Sequence, residues 1–339
     1  MGEVHDILEA KGREGALQAG LERAIVDAAS AYMGDEDNAL GFVYAGWAQC
    51  ALPHSKLLPD APWGIRAEKL RLLVEPGRRP VGDANETEFV GVPFGAHARL
   101  ILLYLQTEAL RTGNREVELG GSLREWLSRI GVSYGGATAK SVRNQAERIS
   151  MCKLSFHFTE GKKIGLLQQT IVDRALFLEP EERHSHPRQR RLNLEAAKLS
   201  EGFFEQLRRH PVPIEEAAVK VLNNKSAGLD CYLWLAYRLH VLTGNVPVSW
   251  PALKGQFGTA FTKLAGFKSW FLAPDGPLAL ALSVYPDAKV AVEENGVVLK
   301  PSKPPVPPRL MASYTPPARS AESPLGQPEG DKTPTSRVR

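Results

Sequence analysis

Residues 122–150 read SLREWLSRIGVSYGGATAKSVRNQAERIS, and the rest of the chain is organised around them. Ser122 suits an N-cap, and Glu125 three residues on completes a capping box. Leu123, Trp126, Leu127 and Ile130 keep the spacing of a core-facing helix. Gly131 then suits a left-handed C-cap, and Val132-Ser133-Tyr134-Gly135-Gly136 has the composition of a turn. A second helix is predicted over 137–150. Ala139, Val142, Ala146 and Ile149 fall on one side of it; Ala137, Lys140, Asn144 and Glu147 fall on the other, flanked by Arg143 and Arg148. A short helix, a Gly-containing turn and a second helix with a basic, amide-bearing face form the pattern of a helix-turn-helix. An αα-hairpin with a solvated charged face has the same local pattern. The flanking segments separate the two.

Upstream, 96–112 is apolar almost all round and is predicted to be a core helix ending at Gly113. Glu116 to Leu119 alternates as a short strand. Downstream, Leu154, Phe156 and Phe158 alternate with Ser155, His157 and Thr159 as a half-buried strand. Glu160-Gly161-Lys162-Lys163 makes a turn, and 164–178 carries further strand. Helix, strand, helix, helix, strand, turn, strand is the order of a winged helix, and it favours DNA binding over an inert hairpin. Lys162 and Lys163 stand where a wing tip approaches phosphates.

The chain has 339 residues, long enough for two domains or more, with net charge +4. Its isoelectric point near 8.9 points to local basic patches, not a polycation. Cys50, Cys152 and Cys231 are widely spaced, with no zinc pattern, and are expected as buried free thiols in a reducing cytosol. With no run of 18 apolar residues and no signal-peptide core in MGEVHDILEAKGREG, a cytoplasmic protein is expected.

A helix is predicted over 14–33, and Asp35-Glu36-Asp37 reads as a solvated loop. Residues 40–75 are irregular up to a strand at 69–75, and 76–88 connect. Tyr44 and His54 are assigned to packing and hydrogen bonding. Residues 179–191 form a charged linker; its His184-Ser185-His186 lacks the apolar middle residue and apolar flanks of a nuclease metal strand. A second unit repeats the element order. It has helices at 200–207, 214–222 and 227–242, a strand at 246–248, and a helix capped by Ser249 with Pro251 in its first turn. A helix over 259–272 follows, then a Pro274–Pro277 break, a resumed helix and a hairpin turned at Asn295-Gly296. From Pro301 the chain is rich in Pro, Ser and Thr and is expected to be disordered.

Four stretches resemble one family: GFVYAGWAQCALPHS, VPFGAHARLILLYLQTEALRTGNREVELGGSLREWLSRIGVSYGG, SVRNQAERISMCKLSF, and LDCYLWLAYRLHVL with VSWPALKGQFG. It is the plasmid-encoded RepA-type replication initiators of Gram-negative bacteria, over roughly 20–300. The resemblance implies two tandem winged-helix domains that bind repeated origin sites on double-stranded DNA, help melt the origin and recruit host replication proteins. It also implies a homodimer in equilibrium with a DNA-competent monomer. The Pro274–Pro277 break departs from the family.

The expected fold class is thus α+β, mostly helical with small β wings. An N-terminal region (1–90) precedes a first winged helix (91–180), a linker (181–191), a second winged helix (192–301) and a tail (302–339). Ala137, Lys140, Ser141 and Asn144 are the candidate base-reading residues. Arg143, Arg148, Lys162, Lys163, Lys254, Lys263 and Lys268 are the candidate phosphate contacts. No cofactor or metal is expected. With no phosphate loop and no nuclease motif, no enzymatic activity is expected either. A winged-helix repressor is the nearest rival, followed by a Rep nuclease, primase or ATPase, and by a protein-interaction module on the same fold.

Overall fold

The computed structural model describes residues 3–37, 39–67, 70–81, 85–160, 163–175 and 196–306. The predicted linker and its His184-Ser185-His186 lie outside them, as do Lys162 and the tail beyond Val306.

Two helices open the chain, α1 (Glu3–Gln18) and α2 (Arg23–Met33), where the sequence suggested one over 14–33. Gly20, at φ +82°, turns the chain between them. The stretch expected to be irregular is ordered, with β1 (Leu40–Tyr44), α3 (Ala45–Gln49) and β2 (Trp63–Arg66), and the strand expected at 69–75 is β3 (Leu70–Glu75). The connecting loop is a ribbon, β4 (Arg78–Pro80) with β5 (Thr87–Phe89). Then come α4 (Gly95–Thr112), β6 (Glu116–Glu118), α5 (Gly120–Arg129), α6 (Gly136–Met151), β7 (Lys153–Glu160), β8 (Lys163–Thr170) and β9 (Val172–Ala175).

The second half runs β10 (Ala196–Leu199), α7 (Glu201–Arg209), β11 (Pro211–Glu215), α8 (Glu216–Val221) and α9 (Ser226–Arg238), followed by a turn of 3-10 helix. It ends with β12 (Val246–Ser249), α10 (Trp250–Phe257), α11 (Leu264–Phe271), α12 (Pro277–Ser283), β13 (Val290–Glu293) and β14 (Gly296–Leu299). The class is α+β, mostly helical with small sheets, as expected. The capping expectations divide. Ser249 caps α10 through its hydroxyl as expected, and Ser200, placed inside a helix by the sequence reading, caps α7 in the same way. Ser122 does not cap α5, which begins at Gly120 behind Leu119, so Ser122 and Glu125 lie inside the helix.

The strand pairing ties distant segments together. β1 pairs antiparallel with β11, Phe42 opposite Pro213. β3 pairs with β7, making one sheet in the order β2-β3-β7-β8. The β7–β8 hairpin is therefore built into a four-stranded sheet instead of standing free. The order helix, strand, helix occurs in α2-β1-α3 and in α7-β11-α8; a long helix follows each, α4 only after the four strands β2–β5 and α9 directly, and β1 pairs with β11. Residues 40–44, in the stretch assigned to an N-terminal region, thus pair with a strand of the second unit. Residues 3–90 also reach the second unit: His5 Nε2 is hydrogen-bonded to the Ser283 carbonyl, 2.9 Å away.

One continuous apolar core runs through both units. At its centre α4 and α9 carry a buried ion pair: Arg99 donates to Asp230 at 2.7 and 2.6 Å, and both residues are almost fully buried. The remaining guanidinium hydrogens go to the carbonyls of Leu52 (2.6 Å) and Gly95 (2.8 Å). His54, beside this pair, is hydrogen-bonded with Ser226, and Tyr44 is fully buried, so both residues serve the interior. The three cysteines are buried free thiols, and burial pushes Cys50 and Cys152 up to about 12. The described chain does not end at Pro301. Val306 is buried, and the Tyr285 hydroxyl donates to the Lys303 carbonyl at 2.6 Å.

Candidate nucleic-acid interface

The α5–α6 pair matches its sequence pattern in the residues that pack. Leu123, Trp126, Leu127 and Ile130 of α5 are buried, as are Val142, Ala146 and Ile149 of α6. Gly131 sits at φ +79°, the left-handed position that ends α5. The second unit braces this turn. Asn223 donates to the Ile130 carbonyl at 2.7 Å, and Glu216 of α8 accepts from Trp126 (3.1 Å) and Arg129 (2.9 Å). Arg124 lies over the Tyr134 ring, which fixes the turn from the other side.

α6 turns Ala137, Lys140, Arg143 and Asn144 to solvent. They lie in its N-terminal two-thirds, the part that meets base edges when a second helix of this kind enters a major groove. Ser141 is half-buried, its hydroxyl hydrogen-bonded with His97 Nδ1 of α4 at 2.8 Å. It is therefore partly committed to holding α6 on α4. Burial lowers the His97 pKa, which favours the neutral ring beside Ser141.

Arg148 corrects the sequence expectation. It is buried, not at the edge of the outer face. Its Nη1 donates to the Val92 carbonyl at 3.1 Å, its guanidinium lies 5.2 Å from the Phe94 ring centroid, and its Nε donates to Asn144 Oδ1 at 2.9 Å. Desolvation lowers its pKa. Arg148 therefore holds Asn144 in place. Gln145 Nε2 also donates to that oxygen, at 3.5 Å, so the Nδ2 hydrogens are what the amide offers a ligand.

The β4–β5 ribbon is the part of this face that the sequence hid. Arg79 donates to Glu147 of α6 and to Glu88 of its own ribbon, each at 2.7 Å. Gly77 at the ribbon's base lies against Met151 at the end of α6, with no room for a side chain. Glu147, the one acidic residue on the outer face of α6, is thereby neutralised.

In element order α10 and α11 follow α9 and β12 as α5 and α6 follow α4 and β6. α11 is shorter than expected: the chain from Gly258 to Lys263 is turn, and only Leu264–Phe271 is helix. Lys263 is exposed at its start, and Lys254 is half-buried on α10. Lys268 is half-buried and held within its own unit, its Nζ 5.0 Å from the Trp250 ring centroid and 3.4 Å from the Glu294 carbonyl. Of the wing lysines, Lys163 opens β8, and its side chain, like all of Lys162, lies outside the described residues. Among the described residues no cluster of His, Cys, Asp or Glu has the makings of a metal site. Asp35 of the DED loop is instead bonded to Lys220 at 2.7 Å. No helix among them is long and apolar enough to cross a membrane.

No curated protein matches the chain. Among the solved structures that align with it are two crystal structures of domains 2 and 3 of RctB, one of them a selenomethionine derivative. They share 13% and 14% identity with TM-scores of 0.47 and 0.45, covering 76% of this chain and 99% and 97% of theirs. Residues 92–250 match the family model described as plasmid encoded RepA protein, so the resemblance read from the sequence holds from the start of α4 to the start of α10.

Proposed function

We propose that the protein initiates plasmid replication by binding repeated double-stranded DNA sites at an origin, with α6 in a major groove. The observation that carries this is the outer face of α6: Lys140, Arg143 and Asn144 stand exposed on a helix whose opposite face is locked into the core. In this reading both units are winged helices. Lys140 reads guanine and Asn144 adenine, with Ala137 and Ser141 beside them. Arg143, Lys162 and Lys163 meet phosphates, and Lys254 and Lys263 serve the second unit. The family match to plasmid RepA supports replication over transcription control. The protein opens the origin and recruits host replication proteins by binding alone, without nuclease, primase or nucleotide hydrolysis, and it passes between a dimer and a DNA-competent monomer in the cytoplasm.

Footprinting the purified protein on DNA flanking its own gene tests the reading. Protection of direct repeats is expected, and protection of a single promoter operator would make it a repressor. Asn144→Ala or Lys140→Ala is expected to cost ~1–3 kcal/mol on a cognate repeat and to relax preference at one base pair. A covalent protein–DNA product on supercoiled origin DNA with magnesium would overturn the non-catalytic part.

A further inference from the structure

The four-stranded sheet has an outer face that the duplex-reading elements do not use. In β2-β3-β7-β8 the strand register places Arg66 opposite Arg71, Arg71 opposite His157, and His157 opposite Leu166. Successive strands lie about 4.8 Å apart, so the three basic groups span about 10 Å in one row. All three are exposed. Among the described residues the side chains of Arg66, Arg71 and His157 have no hydrogen-bond or ion-pair partner. The nearest carboxylate on that face of the sheet among the described residues is Glu75, two rows away and opposite Lys153.

Two arginines directly opposite each other on an antiparallel pair repel and weaken the sheet. Arg66 and Arg71 stand so with no described acidic neighbour to relieve them. Glu68, between them in sequence, lies outside the described residues; an anionic ligand facing both guanidinium groups offsets their repulsion. The row also lies where the two units meet: Gly255 of α10 sits against the Arg66 carbonyl, at the free edge of β2. In the duplex-binding reading, with α6 and α11 in successive grooves, the sugar-phosphate backbone between them is the anion this junction would meet. That backbone carries one charge per ~3.4 Å of axis on each strand, so a 10 Å row faces about three phosphates.

We infer that Arg66, Arg71 and His157 form a phosphate-binding row that holds the DNA backbone between the two reading helices. This rests on the duplex-binding reading above. The row contacts phosphates only, so it adds affinity and salt dependence without sequence preference.

The test titrates wild type, Arg66→Ala/Arg71→Ala, Arg66→Lys/Arg71→Lys and Asn144→Ala against cognate and scrambled repeats at several salt concentrations. Removing two like charges relieves repulsion, so the alanine pair is expected to fold with a melting temperature at or above wild type. It is expected to lose affinity equally for both duplexes and to lower the slope of log K against log salt by about two units. The lysine pair keeps the charge and is expected to keep the slope. If the alanine pair is folded and binds with the wild-type slope while Asn144→Ala has lost preference at one base pair, the row has no such role and the reading of α6 stands. If wild type binds no duplex, both fall together.

Discussion

Replacing Asp230 by Ala removes the anion from the Arg99–Asp230 pair that joins α4 to α9. Arg99 stays where it is, because its other hydrogens are held by the Leu52 and Gly95 carbonyls and the Pro53 carbonyl 3.3 Å away. With Arg99 only 5% exposed, the result is a buried guanidinium without a counter-ion. Breaking a buried pair in this way costs about 3–5 kcal/mol. Asp230→Asn, which keeps one accepting oxygen, is expected to cost less. Arg99→Met/Asp230→Leu strands no charge, so it is expected to be no worse than Asp230→Ala even though the Leu52 and Gly95 carbonyls lose their donor. Urea unfolding followed by far-ultraviolet circular dichroism reads this as a fall in midpoint at constant slope. Because the pair joins the two units, Asp230→Ala is also expected to lose affinity more on two-unit repeats than on half-sites. A folded Asp230→Ala protein within about 1 kcal/mol of wild type would refute the buried-pair account.

Arg148→Ala is expected to destabilise the fold by about 1–3 kcal/mol, since the Val92 carbonyl and Asn144 lose their donor, while the salt slope of DNA binding stays at the wild-type value. A lowered slope would restore Arg148 as a phosphate contact. Arg79→Ala and Glu147→Gln form a cycle: both side chains are partly exposed, so the coupling in stability is expected below about 1 kcal/mol. In DNA affinity, Arg79→Ala is expected to weaken binding less when Glu147 is already Gln, and equal losses in both backgrounds would show that Arg79 does not act by neutralising Glu147. His5, His54 and His97 all have pKa values lowered by burial, so the unfolded chain binds more protons than the folded one below about 6.5. Their contribution is complete above that pH and is lost as pH falls toward their folded values. Melting from pH 8 to pH 5.5 should show this, and replacing the three with Gln should flatten the fall.

Local chemistry made much of this protein legible. The apolar spacing of Leu123, Trp126, Leu127 and Ile130 fixes α5 and its buried face. Gly131 and Gly113 mark helix ends because only a residue without a side chain enters the left-handed region cheaply, and both do so at positive φ. Ser249 was readable as a cap for the same local reason. The exposed Lys140, Arg143 and Asn144 follow from helical periodicity alone, since the outer face is the complement of the packed one.

What the sequence could not decide depends on partners far along the chain. β1 and α3 have no strong period of their own; Leu40–Tyr44 is a strand because Pro211–Glu215 lies beside it. The β4–β5 ribbon has no buried face to leave a pattern, and Arg79 meets Glu147 across 68 residues. Arg148 reads as an edge residue by angle, yet Val92 and Phe94 fold over it, since the angle around a helix does not say what packs there. Arg66, Arg71 and His157 share a row only because β3 pairs with both β2 and β7. Periodicity sets which face of an element is apolar, but register and docking between elements set which charges are buried, paired or left facing a ligand.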